Sequence, residues 1–126
     1  MKPQVLAKEL ANAIQESQEY LAWQKAKEEL DKHEAAKIML EDFRKKQWDL
    51  EKARLAGEKV PPEQEEQFKK LAEIIQYNPY VRDFLIAEFN LNQMLMEIQR
   101  IIASAVGVEL PEGATGGGKD QNADVK

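Results

Sequence analysis

The sequence contains no cysteine, one histidine and, before Gly57, no glycine. Without a thiol, its own side chains cannot form a disulfide, a cysteine nucleophile or a thiolate-ligated metal centre. The single histidine, His33, has no glutamate three residues before it, so the Glu-x-x-His pairs of di-metal bundles are absent. One histidine and two serines, Ser17 and Ser104, do not favour a serine–histidine–acid triad either. We therefore predict no catalytic residue, no metal ligand, no cofactor and no enzymatic activity.

A positive net charge and long apolar runs are also lacking. The net charge is −5 and charged residues make up 33% of the chain, so the molecule as a whole repels polyanions such as DNA, RNA and anionic membranes. The longest uncharged windows near the C-terminus, residues 89–96 and 101–108, are far shorter than the roughly 20 residues that span a bilayer. The N-terminus has no continuous apolar segment of a secretory signal. We expect a cytoplasmic protein that binds neither membrane nor DNA.

Helical periodicity is the main feature that is present. Apolar residues recur at helical spacing over about residues 4–106, which predicts α-helices throughout this range. The predicted fold is an all-α, antiparallel helical bundle of four to five helical segments. The second helix, about residues 32–56, and the fourth, about residues 79–106, are predicted to be long. The pattern is interrupted at Ser17, Asp31, Gly57, Pro61–Pro62 and Asn78–Pro79.

The interruptions carry local capping signals. Ser17 either caps a separate second segment or faces inward within one continuous first helix. Asp31 and Glu34 have the spacing of a capping box, in which each side chain bonds the other residue's backbone N–H. Gly57 suits the residue after a helix end, and Asn78, followed by proline, suits a helix start.

The composition changes at residue 109. Residues 109–126 are rich in glycine and polar residues and have little to bury, which predicts a disordered, flexible tail after a bundle domain of residues 1–108. The Gly-Gly-Gly-Lys segment at 116–119 is followed by Asp120 rather than by the serine or threonine of a phosphate loop. We therefore predict no nucleotide site there.

The fourth predicted helix has an apolar arc too wide for a single neighbouring helix. Such an arc either belongs to the core of the bundle or forms an interface with a second molecule, and periodicity does not separate the two. We expect a homodimer through the second and fourth helices, or a surface for a partner protein. The candidate interface residues are Phe84, Phe89, Leu91, Asn92, Leu95, Ile98 and Ile102.

A cluster of basic residues surrounds one tryptophan in the second predicted helix. The candidate basic patch comprises Arg44, Lys45, Lys46, Trp48, Lys52 and Arg54. It is either a solvated face whose charges nearby carboxylates balance, a site for an acidic partner protein, or a site for RNA, where an aromatic ring would stack on a base.

Several short motifs of packing and capping residues mark the predicted helices and their junctions. They are Leu10-x-x-x-Ile14-x-x-Ser17-x-x-Tyr20, Asp31-x-x-Glu34-Ala35, Phe43-x-x-x-Gln47, Gly57, Asn78-Pro79 and Phe84-Leu85-x-Ala87-Glu88. In these motifs the chain resembles the YlbF/YmcA family of small bacterial helical proteins, and in particular its YheA-like branch. The resemblance covers about residues 5–102.

The resemblance implies an all-α bundle, usually dimeric, in the bacterial cytoplasm. Some family members are non-enzymatic regulators in complexes that affect RNA processing, competence, sporulation and biofilm formation, and these complexes are linked to iron–sulfur clusters held by cysteines. This chain has no cysteine to hold such a cluster. We therefore expect a homodimeric regulatory or adaptor protein that binds an unknown protein partner; the alternative is an RNA-associated factor that uses the basic patch.

Overall fold

The computed structural model describes residues 1–108, which form five α-helices and no strand. The predicted all-α bundle of four to five segments is confirmed, and its two long helices are the third and the fifth. The tail predicted at 109–126 lies outside the described residues. The helices are α1 (Pro3–Gln15), α2 (Gln18–Asp31), α3 (Glu34–Leu55), α4 (Pro62–Ile75) and α5 (Pro79–Val106).

Two helices begin at the polar residues that the sequence indicates. The Ser17 hydroxyl accepts a hydrogen bond from the Tyr20 N–H at 3.1 Å and donates one to the Ile14 carbonyl at 2.7 Å. It therefore ends α1 and starts α2, and the alternative of one continuous first helix is wrong. The Asn78 side chain accepts from two amides in the first turn of α5, at 3.0 and 3.2 Å, and Pro79 occupies the first helical position.

The capping box predicted from Asp31 and Glu34 is wrong. Asp31 is the last residue of α2, and its carboxylate pairs with Lys27 one turn earlier at 3.5 Å. His33 takes the N-cap position of α3 without a side-chain capping bond. Its Nδ1 instead lies 2.9 Å from the carbonyl oxygen of Glu29 near the end of α2, which also accepts a hydrogen bond from the Lys32 N–H at 3.2 Å. The His33 side chain therefore bonds to the end of α2 and does not cap α3.

Glycine ends both long helices. Gly57 follows α3 with φ 75° and Gly107 follows α5 with φ 73°, the left-handed conformation that glycine adopts without a Cβ penalty. Pro62 then opens α4, with Glu63 and Glu65 in the first turn where the helix dipole favours carboxylates.

Contacts along the helices give their relative directions. α2 runs antiparallel to α5, because the start of α2 at Gln18 lines a cavity with Met94 and its end at Glu29 lines one with Tyr80. α3 runs parallel to α5, because the His33 ring stacks on Tyr80 at a centroid distance of 3.6 Å and, further along both helices, Arg44 pairs with Glu88 on α5.

α4 folds back antiparallel along α3. The Phe43 and Phe68 rings stack at a centroid distance of 5.1 Å, and Arg54 near the end of α3 lies 3.8 Å from Glu65 near the start of α4. As a result, the end of α2, the start of α3, the end of α4 and the start of α5 meet at one end of the bundle.

The buried core lies at that end, which we call the core end. Trp23, Phe43 and Leu71 pack against it from its sides. The opposite end holds few buried side chains: Leu50 is buried between α3 and α4, whereas α1 contains no buried residue. The core cluster comprises Leu30, Ala36, Leu40, Ile75, Val81 and Phe84.

Candidate interaction surfaces

The seven candidate interface residues of α5 fall into two groups. Phe84 and Leu91 are buried within the chain itself, and the Phe84 ring packs near Trp23 at a centroid distance of 6.3 Å. These two side chains are covered within the single chain, which leaves the other five as the candidates for contact with a second molecule. The other five are half-buried or exposed: Leu95 and Ile98 are half-buried, and Phe89, Asn92 and Ile102 are exposed.

The second half of α5 is apolar but uncovered. We call residues 92–106 the α5 arm; it contains no buried residue, because the last buried residue of α5 is Leu91. Ile101, Ile102 and Val106 are all more than half exposed. Full burial of one such side chain stabilises by about 1.5–3 kcal/mol relative to exposure. Contact of these exposed side chains with another apolar surface would therefore stabilise the molecule further.

α1 shows the same exposure at the same end of the molecule. Its apolar residues Val5, Leu6 and Leu10 are exposed. A helix of 13 residues is marginal in water on its own and depends on packing for its stability. Because α1 joins α2 next to Gln18, and Gln18 lies beside Met94 of the α5 arm, α1 and the arm start from the same place. We call these two elements the open end.

The candidate basic patch is divided by ion pairs. Arg44 pairs with Glu88 of α5 and lies 5.7 Å from the centroid of the Phe84 ring. Lys46 pairs with Asp42 at 3.0 Å. Together with the bond from Arg54 to α4, these contacts use three of the five cations for links within the chain.

The remaining members of the patch face solvent. Lys45 and Lys52 make no ion pair with any residue among 1–108, and the Trp48 side chain is 58% exposed. Sequence reasoning did not identify Glu88 as the partner of Arg44. The available signal was that Glu88 is the only charged residue between Asp83 and Glu97.

Two adjoining cavities run between α2 and α5. One has a volume of about 480 Å³ and a mainly apolar lining that includes Ala26 and Ile86; the other, about 540 Å³, includes Gln93 and Met94. Both are open, and Ala22 borders each of them. They hold no group of carboxylates and imidazoles: within residues 1–108, no three histidine, cysteine, aspartate or glutamate side chains cluster in a way that could hold a metal ion.

None of the helices within the described part of the chain is long and apolar enough to cross a membrane.

Comparison with known proteins places these features in a group of bacterial proteins. The family model described as control of competence regulator ComK, YlbF/YmcA, matches residues 5–107. A UPF0342 protein of Caldicellulosiruptor saccharolyticus is 40% identical over 104 residues, which cover 82% of this chain and 87% of that protein. UPF0342 protein YheA of Bacillus subtilis is 29% identical over 97 residues, covering 77% and 83% of the two chains.

The fold also has a solved counterpart. A protein of unknown function (DUF964) from Bacillus stearothermophilus superposes with a TM-score of 0.73 and 24% identity, covering 82% of this chain and 91% of that one. At this identity the superposition establishes a shared fold. The family match spans nearly all of the described residues and confirms the resemblance found in the sequence. The chain belongs to the YlbF/YmcA family.

Proposed function

We propose that the protein is a non-enzymatic protein–protein interaction module that acts as a homodimer. The observation that carries this proposal is the open end, where the α5 arm contains no buried residue although it carries Ile101, Ile102 and Val106. Exposed apolar patches of this kind are typical of interaction sites on otherwise soluble folds. α1 supplies a second apolar helix at the same place.

The energetics of the open end are compatible with dimerisation. Six exposed side chains per copy, three on α1 and three on the α5 arm, are about half exposed on average. A two-fold interface would bury these side chains on both copies, and each would lose the exposed half of its surface. At about 1.5–3 kcal/mol for the full burial of one apolar side chain, this burial would contribute about 9–18 kcal/mol. The loss of translational and rotational freedom on association opposes this by roughly 4–15 kcal/mol. Dimerisation at ordinary protein concentrations is therefore feasible through these two elements alone.

A regulatory or adaptor role in the bacterial cytoplasm fits this surface. The family to which the chain belongs is described by control of the competence regulator ComK. A regulator that works by binding needs a stable scaffold and exposed recognition faces, and it does not need a cluster of reactive side chains. Helices with a small core at one end and exposed apolar faces at the other meet this requirement.

The experiment that tests the proposal compares two isoleucines of equal exposure. Ile102 in the α5 arm is 52% exposed and Ile74 in α4 is 53% exposed. Ile102→Asp should convert a dimer to a monomer in sedimentation velocity, since a carboxylate would be buried in the interface. Ile74→Asp should leave the dimer intact. Equal sedimentation of both variants and the parent protein, with unchanged helical circular dichroism, would show that the open end is not the interface.

A further inference from the structure

Large apolar side chains project from the side of α3 that faces away from the core. Ile38, Trp48 and Leu55 are all more than half exposed. The centre of the buried face of this helix, formed by Ala36, Leu40 and Leu50, is about 140° around the helix axis from the centre of these three exposed residues at 100° per residue. The outward side of a bundle helix is normally polar, so a tryptophan and two branched aliphatic residues there call for an explanation.

These residues belong to one regular row, which we call the outer seam. Its successive members are separated alternately by three and four residues, the spacing of a helix that packs against another helix. The row extends over 17 residue steps, or about 26 Å of helix at 1.5 Å per residue. All six members are exposed. They are Ile38, Glu41, Lys45, Trp48, Lys52 and Leu55.

The charges of the outer seam indicate the sign of its partner. Lys45 and Lys52 flank Trp48 and make no ion pair within residues 1–108, whereas Arg44 and Lys46 on either side of Lys45 are both paired. Two free ammonium groups therefore face outward from a chain whose net charge is −5. Carboxylates placed opposite them would give electrostatic complementarity and fix the register of docking. Tryptophan is among the residues most enriched at binding hot spots.

A second copy of the same seam is a poor occupant. A two-fold axis near Trp48 would bring Lys45 of one copy towards Lys52 of the other, and like charges across an interface are destabilising. Nucleic acid is also a poor fit. Nonspecific affinity for nucleic acid grows with the number of phosphates that lysines and arginines neutralise, but the seam offers only two cations and also includes Glu41 and two aliphatic residues.

We propose that the outer seam is the docking site for an acidic amphipathic helix of a partner protein. Apolar residues of that helix pack on Ile38, Trp48 and Leu55, and its glutamates or aspartates face the two lysines. This mode is the helix-on-helix recognition seen where an amphipathic segment lays its apolar face on a partner. The inference deepens the proposed function by giving the chemistry of the partner, and it rests on the chain being an interaction module.

A pair of designed peptides tests the inference. The acidic peptide has three heptads with leucine at the two core positions and glutamate at the flanking positions, and the basic peptide has lysine in place of each glutamate. Isothermal titration calorimetry with the full-length protein should detect binding of the acidic peptide only. Trp48→Ala should weaken that binding about thirtyfold, the lower limit for a hot-spot residue, and Lys45→Glu with Lys52→Glu should abolish it.

The control is a matched double variant on another helix. Lys69→Glu with Lys70→Glu makes the same charge change at exposed positions of α4 and should leave the affinity unchanged. Equal binding of both peptides, or equal loss in both double variants, would overturn the assignment. So would uptake of a single-stranded oligouridylate that depends on Trp48, because the face would then be an RNA site.

A second measurement identifies the natural partner and separates this inference from the proposed dimer. A photo-crosslinking amino acid at position 48, introduced in the native cell, should attach to an acidic amphipathic helix of another protein. Attachment to RNA, to a second copy of this chain or to nothing would overturn the inference. Sedimentation of Trp48→Ala should still show a dimer. Loss of the dimer in this variant would assign the seam to self-association, whereas a monomeric parent protein would contradict the proposed dimer and not the docking site.

Discussion

Phe84 and Phe89 test whether the stability of this bundle comes mainly from the core end. The two residues are five positions apart on α5, but Phe84 is 7% exposed and Phe89 is 62% exposed. Phe84 packs near the Trp23 ring, and the Arg44 guanidinium lies over its face. Both residues stand in an apolar arc of the sequence, so the structure alone distinguishes them.

Phe84→Ala should lower the free energy of unfolding by about 3–5 kcal/mol, the usual cost of deleting a buried phenylalanine side chain. The aromatic contact and the cation–π contact contribute to this loss at roughly 0.5–1.5 kcal/mol each. Small domains have only about 5–15 kcal/mol of net stability, so this variant would lose a large part of it. Phe89→Ala should change the free energy by no more than about 0.5 kcal/mol, as is typical of surface positions.

Urea unfolding followed by far-ultraviolet circular dichroism measures both values at one protein concentration. Trp23 fluorescence gives an independent probe of the core end in a Trp48→Phe background. If the two alanine variants lost equal stability, the core would not be confined to the core end, and Phe89 would have to be covered in solution. Repeating the Phe89→Ala measurement at a tenfold higher concentration separates burial within the chain from burial in a dimer.

Three further substitutions test local features. Ser17→Ala should cost about 0.5–2 kcal/mol because it removes the cap of α2, whereas Ser104→Ala, which removes an exposed hydroxyl that caps no helix start, should be nearly neutral in the same urea titration. Gly57→Ala should lower the thermal midpoint and cost about 1–2 kcal/mol, since its φ of 75° is unfavourable for a residue with a Cβ. Gln99→Leu should stabilise by about 1–3 kcal/mol in urea, because the buried Gln99 Oε1 has no hydrogen-bond partner within residues 1–108; a loss of stability would mean that this oxygen is paired in solution.

The parts of the fold that sequence predicts well are those set by local chemistry. Asn78 followed by Pro79, and Gly57 after a long apolar pattern, act through backbone geometry within a few residues, so their effects are visible in the sequence. The prediction of a capping box at Asp31 was wrong because Asp31 and His33 both have other hydrogen-bonding or ionic partners nearby. Asp31 ends α2 and pairs with Lys27, and the His33 Nδ1 lies beside the Glu29 carbonyl oxygen, a contact that the sequence pattern did not indicate.

The interaction surfaces were less predictable because they depend on distant parts of the chain. Arg44 is paired with Glu88, 44 residues away, and this contact removes one cation from the predicted basic patch. Periodicity placed Phe84 and Ile102 on the same side of one helix, yet only Phe84 has neighbours to cover it. Beyond Leu91 the described part of α5 is at most half-buried, and only the three-dimensional arrangement shows this.

The most direct test of the central claim is the mass of the unmodified protein in solution. Sedimentation equilibrium over a hundredfold range of concentration should fit a reversible dimer with a mass twice the 14.4 kDa of one chain. When residues 1–16 are removed and Ile102 is replaced by aspartate, the data should fit a single species with the mass of one shortened chain. A mass of one chain at all concentrations of the unmodified protein would contradict the claim that α1 and the α5 arm form an interface between two copies.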